Sequence, residues 1–154
     1  MAISTIQLQR LLSSDEPNYT ALARFGPKIL PYLDQFVRGP DSDLAAKAAS
    51  LAGMINHDDA VRVLQRAAKS PSATVRLAAA SAALNLQRPA VSGVLVTLLG
   101  DRDPGVRKFA IKSAATRQNP ALIARMRSLS EKDPVPSNRM LAKNIISKKG
   151  TVLG

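Results

Sequence analysis

The side chains able to do chemistry are unevenly supplied in this chain of 154 residues. There is no cysteine, so no disulfide, thiolate nucleophile or cysteine metal site can form. His57 is the single histidine and sits in the turn Asn56-His57-Asp58-Asp59. Its neighbouring carboxylates fall short of a metal ligand set, and a solvated turn is the expectation. The acids gather in turns: Asp15, Glu16, Asp41, Asp43, Asp58, Asp59, Asp101, Asp103 and Asp133. Negative charge is favoured there by the N-terminal ends of helices, so capping accounts for them. No glycine-rich phosphate loop and no serine in a nucleophile-elbow context occurs. These residues predict no catalytic group, no metal and no cofactor, and no small-molecule substrate is evident. The expectation is a protein that is not an enzyme.

Positive charge is what the chain has in excess. The formal net charge is +11, with 22 Lys or Arg against 11 Asp or Glu. Residues 1–75 hold 8 of these cations and 7 of the acids, a net +1; residues 76–154 hold 14 and 4, a net +10. An asymmetry of this kind points to an acidic partner or to nucleic acid. There is no Trp, and the five aromatics (Tyr19, Phe25, Tyr32, Phe36, Phe109) fall mostly at core or cap positions. Stacking on single-stranded bases is therefore disfavoured.

The elements that must carry these cations show a fixed period of 31 residues. Val106 steps back to Val75 and Leu44, Ala110 to Ala79 and Ala48, and Ala114 to Ala83 and Ala52. In the preceding segment, Leu33, Leu64, Leu95 and Met126 form one column, and Phe36, Ala67, Leu98 and Leu129 another. Pro27, Asp58, Pro89 and Pro120 mark the starts, as residues suited to a cap or a first turn. Such a period implies stacked two-helix units, large apolar residues on the first helix and small ones on the second.

The unit resembles a HEAT repeat, and within that group the short bacterial type named after phycobilisome lyases. Asp103-Pro104-Gly105-Val106-Arg107 before the Ala-rich helix carries the resemblance most fully. Ser70-Pro71-Ser72-Ala73-Thr74-Val75-Arg76 carries it with a longer turn, and Gly39-Pro40-Asp41-Ser42-Asp43-Leu44 without the arginine. The resemblance covers roughly 27–147 and implies an all-α, right-handed α-solenoid whose second helices line a concave, ligand-facing surface. It also implies that Arg76 and Arg107 pair with turn acids of neighbouring repeats. The named lyases attach bilin pigments, often as two-chain enzymes; no motif here carries that activity over.

The chain divides into an N-terminal helical cap (1–26), four repeats (27–57, 58–88, 89–119, 120–150) and a flexible tail (151–154). In the fourth repeat one inserted residue, near Asp133-Pro134-Val135-Pro136, brings Arg139 under Arg107 and Ala142 under Ala110. Its second helix is expected to end at Lys148-Lys149-Gly150. No basic segment followed by a long apolar run opens the chain, and Val94–Leu99 is far too short to span a bilayer; a cytoplasmic protein without membrane contact is expected. The functional reading is a protein–protein interaction scaffold or adaptor. Its basic concave face would hold an acidic partner through Arg107, Lys108, Lys112, Arg139 and Lys143. The alternative is sequence-independent binding of a nucleic-acid duplex through its backbone.

Overall fold

A computed structural model describes residues 2–153, with side chains described as far as Lys149. Among these residues all regular structure is helical. The chain opens with α1 (Thr5–Leu12) and α2 (Tyr19–Ala23), then a 3₁₀ turn at Gly26–Ile29. Four helix pairs follow: α3 (Leu30–Arg38) with α4 (Ser42–Ala52), α5 (Asp58–Ala67) with α6 (Ala73–Ala82), α7 (Val91–Leu99) with α8 (Pro104–Ala114), and α9 (Pro120–Lys132) with α10 (Pro136–Leu153). First helices pack on first helices (α3 on α5, α5 on α7, α7 on α9), and second helices do the same from α4 through α6 and α8 to α10. That is the stacking of an α-solenoid, in which each layer buries its apolar face only against its neighbours.

The helices begin where short polar side chains can take up orphan N–H groups. Ser4 accepts from Gln7 N and the Gln7 side chain accepts from Ser4 N, a reciprocal capping box. Asp41, Asp103 and Asn119 cap α4, α8 and α9 one way, their side-chain oxygens accepting from the N–H of Leu44, of Val106, and of Ala121 and Leu122. α2 starts at Tyr19, where the Asn18 side chain accepts from Ala21 N. Gly26 has φ +74, and this left-handed residue turns the chain from α2 into the 3₁₀ segment.

The core follows the 31-residue columns. Leu33, Leu64, Leu95 and Met126 are fully buried, as are Ala48, Ala79 and Ala110, and then Ala52, Ala83 and Ala114. Alanines on the second helices let that row approach closely. Closest of all is Gly53, where an added Cβ would lie 2.6 Å from the Ala82 carbonyl oxygen and 2.7 Å from its Cβ.

The C-terminus departs from expectation. α10 does not stop at Lys148-Lys149-Gly150 but continues to Leu153. Glycine ends a helix by taking a left-handed conformation, and Gly150 stays helical here. Gly154 lies outside the described residues. No helix among the described residues is long and apolar enough to cross a membrane.

Candidate protein-binding face

Two sets of cations are used up inside the stack. Arg76, on α6, donates from Nε to Asp101 Oδ2 (2.8 Å) and from Nη2 to Asp101 Oδ1 (3.3 Å), across to the next layer. Arg107, on α8, does the same to Asp133, at 2.8 and 3.0 Å. Each also reaches backward within its own turn: Arg76 Nη1 to the Ser70 carbonyl, Arg107 Nη1 to that of Asp101. Arg139 keeps the backward bond alone, to the Asp133 carbonyl at 2.6 Å. The accepting carbonyl lies six residues back in all three cases. Arg139 therefore belongs in the column of Arg107, with Ala142 fully buried in that of Ala110.

Both pairs are buried; Asp133 is fully covered, and Arg107 is slightly more exposed than Arg76. Burial alone would raise the Asp133 carboxyl. Hydrogen bonds from Arg107 and from Val135 N–H, with the charges of Arg107 and Arg139, outweigh that and hold it below the usual carboxylate range. The same hydrogen bond raises Arg107, against the cost of its own desolvation.

A second set closes the other end of each layer. Arg88 Nη2 donates to the Asn56 carbonyl (2.9 Å), Arg117 Nη2 to those of Ala83 (2.8 Å) and Leu86, and Lys149 Nζ to that of Arg117 (2.8 Å). Each takes carbonyls at the end of the previous repeat, which a helix C-terminus leaves unmet. Burial lowers the Arg117 guanidinium, though not by enough to discharge a group of such high intrinsic pKa.

Of the five residues expected to touch a partner, the structure frees some and not others. Arg107 is inside the ladder and leaves the candidate surface. Arg139 is half-buried and tied to the Asp133 carbonyl. Lys108 and Lys112 stand exposed one turn apart on α8, Lys112 with its ammonium 5.2 Å from the centre of the Phe109 ring. They occupy the outward columns Ala46–Leu77–Lys108–Met140 and Ser50–Ser81–Lys112–Asn144. Lys143 is exposed as well but does not join them. With the inserted residue it falls in the column of Ala49, Ala80 and Ile111, which are buried between layers.

Sequence reading missed the engagement of Arg117 and Lys149, because their acceptors are backbone carbonyls that no residue type announces. It placed Met140 in the outward column of Lys108 but gave it no role; the side chain is 59% exposed there. Few acids offset this surface: in residues 76–154, Asp101 and Asp133 are paired and Asp103 caps α8, leaving Glu131 exposed. His57 caps α5, its Nδ1 accepting from Asp59 N at 3.0 Å. No group of three or more His, Cys, Asp or Glu able to hold a metal occurs among the described residues.

Comparison of the fold with solved structures finds the complex of CpcE and CpcF of phycocyanin lyase from Nostoc sp. PCC7120. The match covers 92% of this chain and 96% of the other, with a TM-score of 0.72 and 20% sequence identity. The two share a fold. No family model and no curated protein matches the sequence. The likeness agrees with the HEAT-type resemblance carried by the Asp-Pro-Gly-Val-Arg turn. It also corrects one expectation. The lack of a recognisable catalytic constellation led to a non-enzymatic reading, yet a chain of this fold along almost its whole length belongs to a complex that is a lyase. An activity assembled by two chains need not leave a complete set of catalytic groups in either.

Proposed function

We propose that this chain is a protein-binding subunit of a lyase-type assembly, holding an acidic protein on the outward face of its second helices. The observation that carries this is the residue of the charge accounting. Once both ladders are filled, Lys108 and Lys112 remain exposed with neither an ion pair nor a hydrogen bond. Beside them in the same columns lie half-buried Leu77 and exposed Met140. Cations flanking apolar side chains suit a partner segment that alternates carboxylates with an apolar anchor. Complementary charge would speed the encounter, and the apolar contact would hold it.

With no cysteine the chain offers no thiol to carry a pigment. Its contribution to a lyase would be to grip the protein acceptor, with the remaining groups coming from a second chain, as the two-chain neighbour suggests. The test titrates the wild-type chain and Lys108→Glu/Lys112→Glu against apo-phycocyanin, with and without bilin. Tight binding by the wild type, weakened at least about tenfold by the double reversal, supports the reading. Equal binding by both proteins would clear these lysines of the role.

Backbone binding to a nucleic-acid duplex is the competing outcome, favoured by the net +10 of the C-terminal half. Fluorescence anisotropy against a random duplex and an RNA separates the two. If about three phosphates were neutralised, affinity would fall roughly 40-fold between about 50 and about 200 mM salt.

A further inference from the structure

The ladder of buried arginines has a gap. Ala45 stands 31 residues before Arg76, in the column of Arg76 and Arg107. Ser70 stands 31 residues before Asp101, in the column of the accepting carboxylate. Between the first and second layers both members of the pair are therefore missing. Their place is a pocket of about 390 Å³, walled by Val37, Ala45 and Val75 and by the turns that lead into α4 and α6. That volume lies in the range of small-molecule sites, about 300–1,000 Å³.

The lining differs from what the filled sockets hold. Arg38, Arg66 and Lys69 stand around the pocket with Ser70 and Ser72. The exposed ammonium of Lys69 has neither an ion pair nor a hydrogen bond among the described residues. Arg66 donates from Nε to Asp34 (2.8 Å), and Arg38 Nη2 lies 3.3 Å from the same carboxylate. One acid thus serves two guanidiniums, and each keeps further N–H groups to give. Asp41, in the first turn, is engaged in capping α4. Ser70 Oγ accepts from Ser72 N (3.2 Å), so its O–H remains a donor. Ser72 holds the cap column of Asp41 and Asp103 but makes no capping bond, which leaves its hydroxyl available as well.

We propose that this gap binds a small phosphate monoester, its phosphate held by Lys69, Arg66 and the hydroxyls of Ser70 and Ser72. Charge excludes the occupant of the filled sockets, a guanidinium. The carboxylate that receives it there is a serine here, and Arg38, Arg66 and Lys69 line the opening. Cations beside hydroxyl donors suit a group with three acceptor oxygens and nearly two negative charges. A carboxylate, with two oxygens and one charge, would leave part of the set unmet. The carbonyls of Gly39 and Pro40 are in register with those of Ser70 and Pro71, which accept from Arg76 Nη1 at 2.9 and 3.2 Å. They suit an organic part that carries hydroxyl groups. The pocket shares no residue with the face of Lys108 and Lys112, so the inference does not rest on the protein-binding reading.

Isothermal titration of the full chain with glycerol phosphate, beside acetate and guanidinium chloride, tests this. Saturable binding of the ester with a Kd below about 1 mM is expected. Lys69→Glu, at an exposed position, should weaken it at least about tenfold. Ala45→Arg with Ser70→Asp refills the socket and should abolish binding while circular dichroism is unchanged. Lys108→Glu with Lys112→Glu should bind the ester as wild type does. No saturable binding by the wild type, or binding indifferent to Lys69→Glu, overturns the proposal. Acetate or guanidinium bound as tightly as the ester overturns its choice of ligand.

Discussion

Gly53→Ala tests the stack where it is tightest. Gly53 follows α4 with φ −63 and ψ −17, so alanine suits the backbone there without strain. On an open helix end the substitution would stabilise by about 0.4–1 kcal/mol, through the unfolded chain. Here the new methyl would sit 2.6 Å from the Ala82 carbonyl oxygen and 2.7 Å from the Ala82 Cβ. Backbone cannot swing away as a flexible side chain can, so α4 and α6 must separate by roughly 0.8 Å to restore van der Waals contact. A gap of that size forfeits about a quarter to a half of each contact's dispersion energy. Spread over the alanines that join the two helices, and set against the usual cost of overpacking (about 1–3 kcal/mol) and the entropic gain, a net loss of about 1–2 kcal/mol is expected. Urea unfolding followed by circular dichroism reads it as a lower midpoint at constant slope. Gly93→Ala is the control of opposite sign: it lies inside α7, a Cβ there meets nothing within 4 Å, and a gain of about 0.5–1 kcal/mol is expected. If Gly53→Ala also stabilised, the close crossing of α4 and α6 would be refuted.

Leu95→Ala should cost about 2–5 kcal/mol in the same assay, since its side chain is fully buried in the first-helix column; a loss near zero would contradict the stacking. Asp133→Ala leaves Arg107 buried without its carboxylate and should cost about 3–5 kcal/mol. The pH dependence follows from the sign of the shift. The folded state holds the Asp133 carboxyl below its ordinary value, so its stabilisation is complete above about pH 5 and is lost as the pH falls through the folded pKa. The acid limb of the stability curve should therefore be shallower in Asp133→Asn, and an unchanged limb would show that the pair does not couple folding to protonation. Lys108→Glu with Lys112→Glu should leave stability within about 0.5 kcal/mol of wild type, because both side chains are exposed; a larger loss in the melt would mean that they serve packing.

Much of this fold was legible because a solenoid writes its geometry into the sequence as a period. Every layer buries the same positions, so columns such as Leu33–Leu64–Leu95–Met126 can be found by counting. The arginine ladder was legible only through the resemblance, which implies that Arg76 and Arg107 pair with turn acids; which acids these are, 25 and 26 residues on, the structure supplies. What counting could not show was its consequence for the candidate face, from which Arg107 is withdrawn. Strict counting puts Lys143 in the column of Lys112, whereas the inserted residue, already read from the sequence, puts Asn144 there; the six-residue reach of Arg139 to a carbonyl agrees with the shifted register. At the N-terminus, Ile3, Ile6, Leu8, Leu11 and Leu12 look alike as cap contacts, yet only Leu8 and Leu12 are buried. Hydropathy cannot tell a helix face that meets the stack from one that does not. The catalytic question was illegible because the residue types and spacings of this chain form no recognisable catalytic constellation.

The ladders also give the stack a direction. Arg76 and Arg107 each find their carboxylate in the layer that follows, while Arg88, Arg117 and Lys149 each close carbonyls in the layer before. During synthesis every finished layer thus leaves the ribosome with an open socket, which the next one fills. A chain cut after α8 would carry Arg107 with no counter-charge and the end of its last repeat without Lys149. A chain trimmed of its first repeat strands no charge of the Arg–Asp ladder, because Ala45 stands where later layers have arginine, although Arg88 loses the Asn56 carbonyl. Removing one layer therefore leaves a buried, unpaired charge at the C-terminal cut and none at the N-terminal one.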